Sequence, residues 1–172
     1  RLLTRPHGGA MLTSGVETDA SDARRNLAAR ERTIIAHRAA SIIPDNCSLF
    51  INIGTTTEEV ARALVNHKGL LVITNNIHVA TILMPRQGMD VILAGGMLRK
   101  SDGGVTGESA VEFIRQFKVD HASIGASAID DDGAMLDFDY HEVRVAKAIM
   151  QNARSVMLVA DAMKFTRTAP VR

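Results

Sequence analysis

The amino-acid sequence predicts an α/β domain with a mainly parallel sheet and helices on both faces. Short apolar runs of the length of a buried strand alternate along the chain with stretches of helical periodicity. This alternation implies right-handed crossovers that connect parallel strands. The chain has 172 residues, of which 46% are hydrophobic and 23% charged, so it is long enough to form one domain with a large core.

One long amphipathic helix precedes the alternating elements. It is predicted over residues 23–43, where apolar residues recur at approximately helical spacing until Pro44 ends the helix. Five strands are predicted over residues 48–53, 70–74, 89–94, 121–125 and 155–160, and four further helices over residues 57–66, 77–84, 109–117 and 140–153.

Both ends of the chain have the character of cut ends. Residues 1–10 contain a proline and a pair of adjacent glycines, which is typical of a linker. The other end stops shortly after Pro170, without a closing helix or a polar tail. We therefore expect residues 1–22 to be a linker from a preceding domain, and residues 23–172 to form the main domain, truncated at its C-terminal end.

Charge and cysteine content argue against several classes of protein. Twenty Lys and Arg against nineteen Asp and Glu give a formal charge of +1, so no broad positive surface is expected to hold nucleic acid. Cys47 is the single cysteine, and it is expected to be a small buried hydrophobe, with a nucleophile as the alternative. No signal peptide is recognisable, and no apolar run approaches the roughly 20 residues that span a bilayer. We expect a cytoplasmic protein without a membrane partner.

The loop after the first predicted strand has the composition of an anion site. It consists of Gly54, Thr55, Thr56 and Thr57. The glycine allows a close turn, three hydroxyls can donate hydrogen bonds, and the unpaired amides of the following helix present the positive end of its dipole. Such a loop can hold a phosphate. Thr56 and Glu59 also fit a capping box, in which the loop only caps the helix, and the residues alone leave both interpretations possible.

The loop after the second predicted strand is Thr74-Asn75-Asn76. Either asparagine can serve as the N-cap of the next helix. Because this loop is expected to lie beside the first one, the two amides could equally bind the hydroxyls of a polyol.

Glycines are concentrated between residues 94 and 107, beginning with Gly95 and Gly96. The spacing fits neither G-x-G-x-x-G nor a P-loop, so a dinucleotide or nucleoside triphosphate site is not predicted. One interpretation is a backbone that passes close to a ligand or to another chain. The other is a glycine-rich hairpin with solvated Arg99 and Lys100.

Residues 125–142 are rich in aspartate and end in His141-Glu142. The zinc motif H-E-x-x-H is absent because position 145 is valine, and the alternating ligands of an EF-hand are absent as well. No metal is therefore expected. Paired carboxylates for acid/base catalysis remain as an alternative use of this segment.

Lys164 follows the last predicted strand. At the rim of a phosphate site its ammonium could complete the neutralisation of a dianion. The alternative is an ordinary surface lysine.

The loops in their order share motifs with one family. The motifs are His7-Gly8-Gly9-Ala10, Ile53-Gly54-Thr55-Thr56, Thr74-Asn75-Asn76, Ala94-Gly95-Gly96, Gly107-Glu108, and Asp161 through Lys164-Phe165. In these motifs the chain resembles the DeoR family of sugar-metabolism repressors over essentially all its length. The resemblance implies an N-terminal winged helix-turn-helix domain, with residues 1–5 as its tail, that makes all DNA contacts. It also implies a homodimer or homotetramer.

The resemblance further implies a fold similar to ribose-5-phosphate isomerase and glucosamine-6-phosphate deaminase, with the phosphate site in the loop at Gly54. Within the family, residues 93–96, 101–104 and 137–144 resemble a subgroup whose effector is a phosphorylated three-carbon polyol, sn-glycerol 3-phosphate. The resemblance implies that this effector changes operator affinity by a population shift. The expected phosphate ligands are Gly54, Thr55, Thr56, Thr57 and Lys164, and the other expected ligand residues are Asn75, Asn76, Gly95, Gly96, Gly125, Asp139, Glu142 and Lys147.

Catalysis is not expected. Where the deaminases have an Asp-Gly-His segment, this sequence has Gly125-Ala126-Ser127-Ala128, without the catalytic carboxylate and histidine. No cofactor is expected either. The alternative hypothesis is a sugar-phosphate isomerase or deaminase that uses the same pocket.

Overall fold

The computed structural model of the protein describes residues 3–4, 11–12 and 15–172, with side chains from residue 27 onward. Its elements in chain order are β1 (Leu3–Thr4), β2 (Met11–Leu12), α1 (Gly15–Ile42), β3 (Ser48–Ile51), α2 (Thr55–Ala63), β4 (Leu70–Thr74), α3 (Ile77–Leu83), β5 (Met89–Leu93), β6 (Met97–Arg99), β7 (Gly104–Thr106), α4 (Glu108–Ile114), β8 (Val119–Ile124), β9 (Ala128–Ile129), β10 (Met135–Leu136), α5 (Tyr140–Gln151), β11 (Ala153–Leu158) and a 3₁₀ turn (Ala162–Thr166).

Five strands form the central sheet in the order β11-β8-β3-β4-β5, and every neighbouring pair is parallel. All five are strands that the sequence predicts, so the α/β prediction is confirmed. The middle strand β3 is covered on both faces, and for this reason its residues form a continuous apolar run rather than an alternating one. Leu49, Phe50 and Ile51 are each fully buried.

Helices cover both faces of this sheet and build two core clusters. Leu49 and Ile51 pack with residues of α1, α2 and α3, including Leu64 and Leu83. Phe50 lies on the opposite face, because successive strand residues alternate in direction, and it packs with residues of α4 and α5. Each side of the sheet therefore has its own apolar layer. Among the described helices, none has the length and apolar character that a bilayer crossing requires.

The first helix is longer than predicted. It begins at Gly15, so residues 15–22, which the sequence analysis places in a linker, are helical. The predicted start relied on an apolar face, and the segment has none. No proline interrupts the chain between Gly15 and Ile42. Residues with high helix propensity, such as alanine, glutamate and arginine, can therefore continue the helix even where it has no apolar face. The rest of the predicted linker lies largely outside the described residues.

Two antiparallel hairpins lie at the carboxyl end of the sheet. Strands β6 and β7 pair after β5, and β9 and β10 pair after β8. The first of these confirms the predicted glycine-rich hairpin. Because ligands bind beyond the carboxyl ends of parallel strands, both hairpins are placed to form walls of a site.

Helix α1 also contacts the segment that follows β11. The guanidinium of Arg32 lies 3.7 Å from the carboxylate of Asp161, and the backbone amide of Ala162 donates to the Glu31 carboxylate at 3.4 Å. Asp161 in turn caps the 3₁₀ turn by accepting from the Met163 amide at 3.1 Å. The long helix thus rests on the segment that carries Lys164.

Candidate functional site

A cavity of about 540 Å³ opens at the carboxyl ends of β3 and β8. These strands are neighbours, and the strand order runs from β3 to β4 and β5 on one side and from β8 to β11 on the other. The loops after β3 and β8 therefore leave in opposite directions and open a crevice between them, as in other open α/β sheets. The lining residues include Gly54 through Glu58, His78, Arg99, Ser101, Asp102, Gly125 through Ser127, Asp137 through Asp139, Glu142 and Lys164.

The first turn of α2 forms one wall of the cavity. Gly54 is the N-cap residue, with φ of 144° that favours glycine, and no side chain caps the helix. The backbone amides of Thr55, Thr56 and Thr57 donate to no acceptor in the described part of the chain. A helix N-terminus with unpaired amides carries a partial positive charge and binds anions.

The three threonines of this turn differ in their availability. Thr57 is fully buried, and its hydroxyl proton is shared between the Gly54 carbonyl at 2.7 Å and the Asn52 carbonyl at 2.9 Å. This hydroxyl therefore has no proton left to donate to a ligand. The capping-box interpretation is wrong, because the helix begins at Thr55 and Thr56 already lies within its first turn. Thr55 is exposed and Thr56 is buried.

Lys164 lines the same cavity, so it is not an ordinary surface lysine. It is half-buried, and burial lowers the pKa of its ammonium. Its side chain makes no hydrogen bond or ion pair with a residue that the structure describes. A partly desolvated cation without an acceptor is a suitable partner for an anion bound at α2.

A cluster of one arginine and three carboxylates forms the facing wall. Arg99 donates to Asp102 from Nε at 2.9 Å, to Asp139 from Nη1 at 2.7 Å, and to Glu142 from Nη2 at 2.6 Å. Arg99 lowers the pKa of Asp102, whereas burial raises the pKa of Glu142. A solvated Arg99 was one of the two interpretations of the glycine-rich segment, and the structure shows the guanidinium engaged by three carboxylates instead. Its partners lie up to 43 residues away in sequence, which no local pattern reveals.

Asn75 and Asn76 do not line the cavity. Asn75 is buried and donates from Nδ2 to the Val105 carbonyl at 3.0 Å, while its backbone carbonyl accepts from the Val105 amide at 2.7 Å. Asn76 accepts from the His78 amide at 2.9 Å, which confirms it as the N-cap of α3, and donates to Glu58 at 3.2 Å. The two amides therefore join α2, α3 and the β6–β7 hairpin.

Three more of the predicted ligand residues lie outside the cavity. Gly96 brings the backbone close to the chain's own β7, where a Cβ atom would lie 3.1 Å from Val105, and Gly95 is exposed. Lys147 lines a second cavity of about 190 Å³ and donates to the Arg172 carbonyl at 3.0 Å. Gly125 lines both cavities.

The structure adds cavity residues that the sequence analysis did not assign to a ligand. Asp137 accepts from the Ser127 hydroxyl at 2.7 Å, and Glu58 projects from the first turn of α2. Glu58 and Asp137 each come after a predicted strand, and that position is the sequence signal that could have identified them as site residues. Among the described side chains, no group of three or more histidines, cysteines or carboxylates is arranged to hold a metal ion. Cys47 is half-buried, and burial raises the pKa of its thiol, which disfavours a nucleophilic role.

Comparison with known proteins gives one family and one fold. The family model "DeoR C terminal sensor domain" matches residues 27–172. The chain is 50% identical over 171 residues to the glycerol-3-phosphate regulon repressor of Escherichia coli, covering 99% of this chain and 68% of that protein. It is 47% identical over 171 residues to the repressor of the same name from Haemophilus influenzae, covering 99% of this chain and 67% of that protein.

A solved ribose 5-phosphate isomerase from Plasmodium falciparum matches with a TM-score of 0.57 at 15% identity, over 79% of this chain. This chain spans about half of that isomerase, 52% of its length. At this identity the match shows the fold alone, and it confirms the isomerase-like fold that the resemblance implied.

Proposed function

Because this chain belongs to the DeoR C-terminal sensor domain family, we propose that it binds a phosphorylated polyol or sugar, in the first place sn-glycerol 3-phosphate, as the effector of a transcriptional repressor. Its relatives carry the names of transcriptional repressors, and two of them are named for the glycerol-3-phosphate regulon. DNA is bound by a winged helix-turn-helix domain on the N-terminal side of the sensor domain, and the sensor domain itself works as a homodimer or homotetramer in the cytoplasm.

The observation that carries this proposal is that the uncapped first turn of α2 and Lys164 line the same cavity. Three backbone amides and one cation without described partners are thus available to a ligand there. A phosphate dianion satisfies both, since its oxygens accept hydrogen bonds from the amides and its charge neutralises the lysine. Gly54 allows the phosphate to approach the backbone closely.

The acidic wall supplies acceptors for the hydroxyls of the same ligand. Oε2 of Glu142 accepts from Arg99, and its Oε1 has no partner among the described residues. Both oxygens of Asp139 are engaged, by Arg99 at 2.7 Å and by the His141 amide at 2.8 Å. We therefore assign the hydroxyl contact to Glu142, with Asp139 and Gly125 beside it. The predicted ligand role of Asn75, Asn76, Gly95, Gly96 and Lys147 has no support from the cavity.

Effector binding alters operator affinity by favouring one of two arrangements of the protein. For such a shift the effector must bind one arrangement a few kcal/mol more tightly than the other. The protein performs no catalysis in this scheme, and no metal or cofactor takes part.

The test is a calorimetric titration of the domain with sn-glycerol 3-phosphate, and with glycerol and inorganic phosphate as fragments. Thr55→Pro is the informative variant, because proline is tolerated at the first position of a helix and removes one amide donor. We expect its affinity for sn-glycerol 3-phosphate to fall roughly 10- to 150-fold, the worth of one charge-assisted hydrogen bond. Glu108→Pro removes an amide donor at the first position of α4, together with an exposed ion pair to Arg144 at 2.7 Å, and should leave affinity unchanged. A wild-type domain that binds no polyol or sugar phosphate contradicts the proposal.

The second candidate is a sugar-phosphate isomerase or deaminase, which the shared fold favours. It predicts turnover of ribose 5-phosphate or glucosamine 6-phosphate in the same cavity. The segment after β8 reads Gly125-Ala126-Ser127-Ala128 and offers no carboxylate or imidazole to move a proton. Product formation at enzymatic rates, followed by proton NMR, would establish this candidate in place of the sensor.

A further inference from the structure

The charges that line the main cavity are predominantly negative, although the site is proposed to receive a dianion. Its carboxylates are Glu58, Asp102, Asp137, Asp139 and Glu142, and its cations are Arg99 and Lys164. Coulomb repulsion at short range is strong where water is partly excluded. The cations of the cavity therefore decide whether a dianion can enter.

Arg99 is the cation that balances the acidic wall. Four of the five N–H donors of its guanidinium are used: Nε and one Nη2 donor bind the two oxygens of Asp102, one Nη1 donor binds Asp139, and the other Nη2 donor binds Glu142. The guanidinium is therefore nearly saturated by carboxylates. Its role at the site is charge balance rather than direct contact with a ligand.

The backbone that carries Arg99 is held in place by the neighbouring loops. The Gly103 carbonyl accepts from the Ile77 amide at 2.9 Å, and Asn75 bonds Val105 through both its backbone and its side chain. Gly103 has φ of 70°, and a Cβ atom there would lie 2.6 Å from Ile77. The hairpin is thus packed against α3, and Arg99 has a defined position over the cavity.

We propose that Arg99 is a specificity-determining residue of the effector site: by offsetting part of the negative charge of Asp102, Asp139 and Glu142 it makes the cavity accept a dianionic ligand. This inference rests on the proposed function. Lys164 and the amides of α2, rather than Arg99, contact the phosphate. Without Arg99 the cavity favours ligands of lower negative charge.

The experiment varies the charge of the cluster in both directions. Arg99→Gln removes one positive charge, Asp102→Asn removes one negative charge, and the double variant restores the balance. Arg99→Lys keeps the charge but loses the geometry. The matched control is Arg154→Gln, which removes the same charge from an ion pair with Asp120 at the amino ends of β8 and β11. Each protein is titrated with sn-glycerol 3-phosphate and with inorganic phosphate, and its melting temperature is recorded.

We expect Arg99→Gln to weaken both ligands about tenfold or more, and Asp102→Asn to bind both at least as tightly as wild type. The double variant should return to within about threefold of wild type, since it has the original net charge. Arg99→Lys should lose less affinity than Arg99→Gln, and Arg154→Gln should bind like wild type.

Three results would overturn the inference. An Arg99→Gln variant that binds like wild type shows that the charge does not matter. A double variant that stays as weak as Arg99→Gln shows that Arg99 contacts the ligand or only supports the fold. If Arg99→Gln fails to fold, Asp102→Asn provides the test: binding weaker than that of wild type would show that the net charge of the cluster does not control affinity. A wild-type protein that binds neither of these ligands nor any other polyol or sugar phosphate removes the proposed function and this inference together, whereas the first three results leave the proposed function intact.

Discussion

Replacing Lys164 with methionine tests two effects of the lysine charge: its effect on the stability of the free protein and its contribution to ligand affinity. The side chain is half-buried, lines the cavity and has no described partner. Burial lowers the pKa of its ammonium, which means that folding disfavours the charged form. Methionine has a similar length and no charge, so it removes both the penalty in the free protein and the cation in the complex.

Without ligand, the Lys164→Met variant should be more stable than wild type at neutral pH. Because the folded protein has the lower pKa, the penalty is fully present below the folded pKa and disappears as the pH rises above the ordinary value of 10.5. Urea unfolding at pH 7 and near the ordinary lysine pKa measures this difference. The gain in free energy of unfolding should be larger at pH 7.

With ligand, the same variant should be weaker. Loss of one charge-assisted interaction with the phosphate costs about 1.5–3 kcal/mol, which corresponds to a roughly 10- to 150-fold rise in Kd. Isothermal titration with sn-glycerol 3-phosphate at pH 7.5 measures it. Lys118→Met is the control, because that ammonium donates to the Gln151 carbonyl away from the cavity, and its affinity should equal that of wild type.

Two outcomes would refute the reasoning. Unchanged affinity in Lys164→Met would show that the ammonium does not contact the phosphate. A variant less stable than wild type at pH 7 would show that the unpaired charge carries no penalty, and that the stem of the lysine contributes packing that methionine does not replace.

Other substitutions test the remaining walls of the site. Asn75→Ala leaves the buried Val105 carbonyl without its side-chain donor and should lower the free energy of unfolding by about 1–3 kcal/mol in a urea titration. Lys164→Arg keeps a cation of higher pKa, so the alkaline loss of affinity, measured by titration calorimetry between pH 7 and 11, should move to higher pH. Lys147→Met should bind sn-glycerol 3-phosphate like wild type in the same assay, since this lysine lines the smaller cavity; weaker binding would support the prediction made from sequence.

The sequence predicts the sheet well because each strand can be recognised from its own residues. Each strand is a short apolar run between polar loops, and burial on both faces makes such runs continuous. The position of the loop Gly54–Thr57 also follows from local order, since Gly54 comes directly after a strand and before a helix. Because ligand cavities form at the carboxyl ends of parallel strands, the sequence predicts that this loop lines one cavity with Gly125 and Lys164, as observed.

The rest of the site depends on contacts between distant segments. Asn75 lies at the correct edge of the sheet, but whether its amide faces a ligand or the chain is decided by Val105, 30 residues later. The residues that follow Arg99 in sequence are polar and suggest a solvated side chain, and only the fold brings Asp139 and Glu142 to it. The capping box fails for a different reason: the motif fits, but the helix starts at Thr55, where Gly54 provides the turn.

Helix α1 extends far beyond its contact with the segment that carries Lys164, so a small rotation at that contact produces a larger displacement at the N-terminal end of the helix. Its 28 residues span about 42 Å, and Arg32, where it meets Asp161, lies about 26 Å from its first residue. A tilt of about 5° about that contact moves the N-terminal end of the helix by about 2 Å, using the same rise per residue. A displacement too small to disturb the packing near Asp161 is thereby enlarged at the N-terminal end of α1.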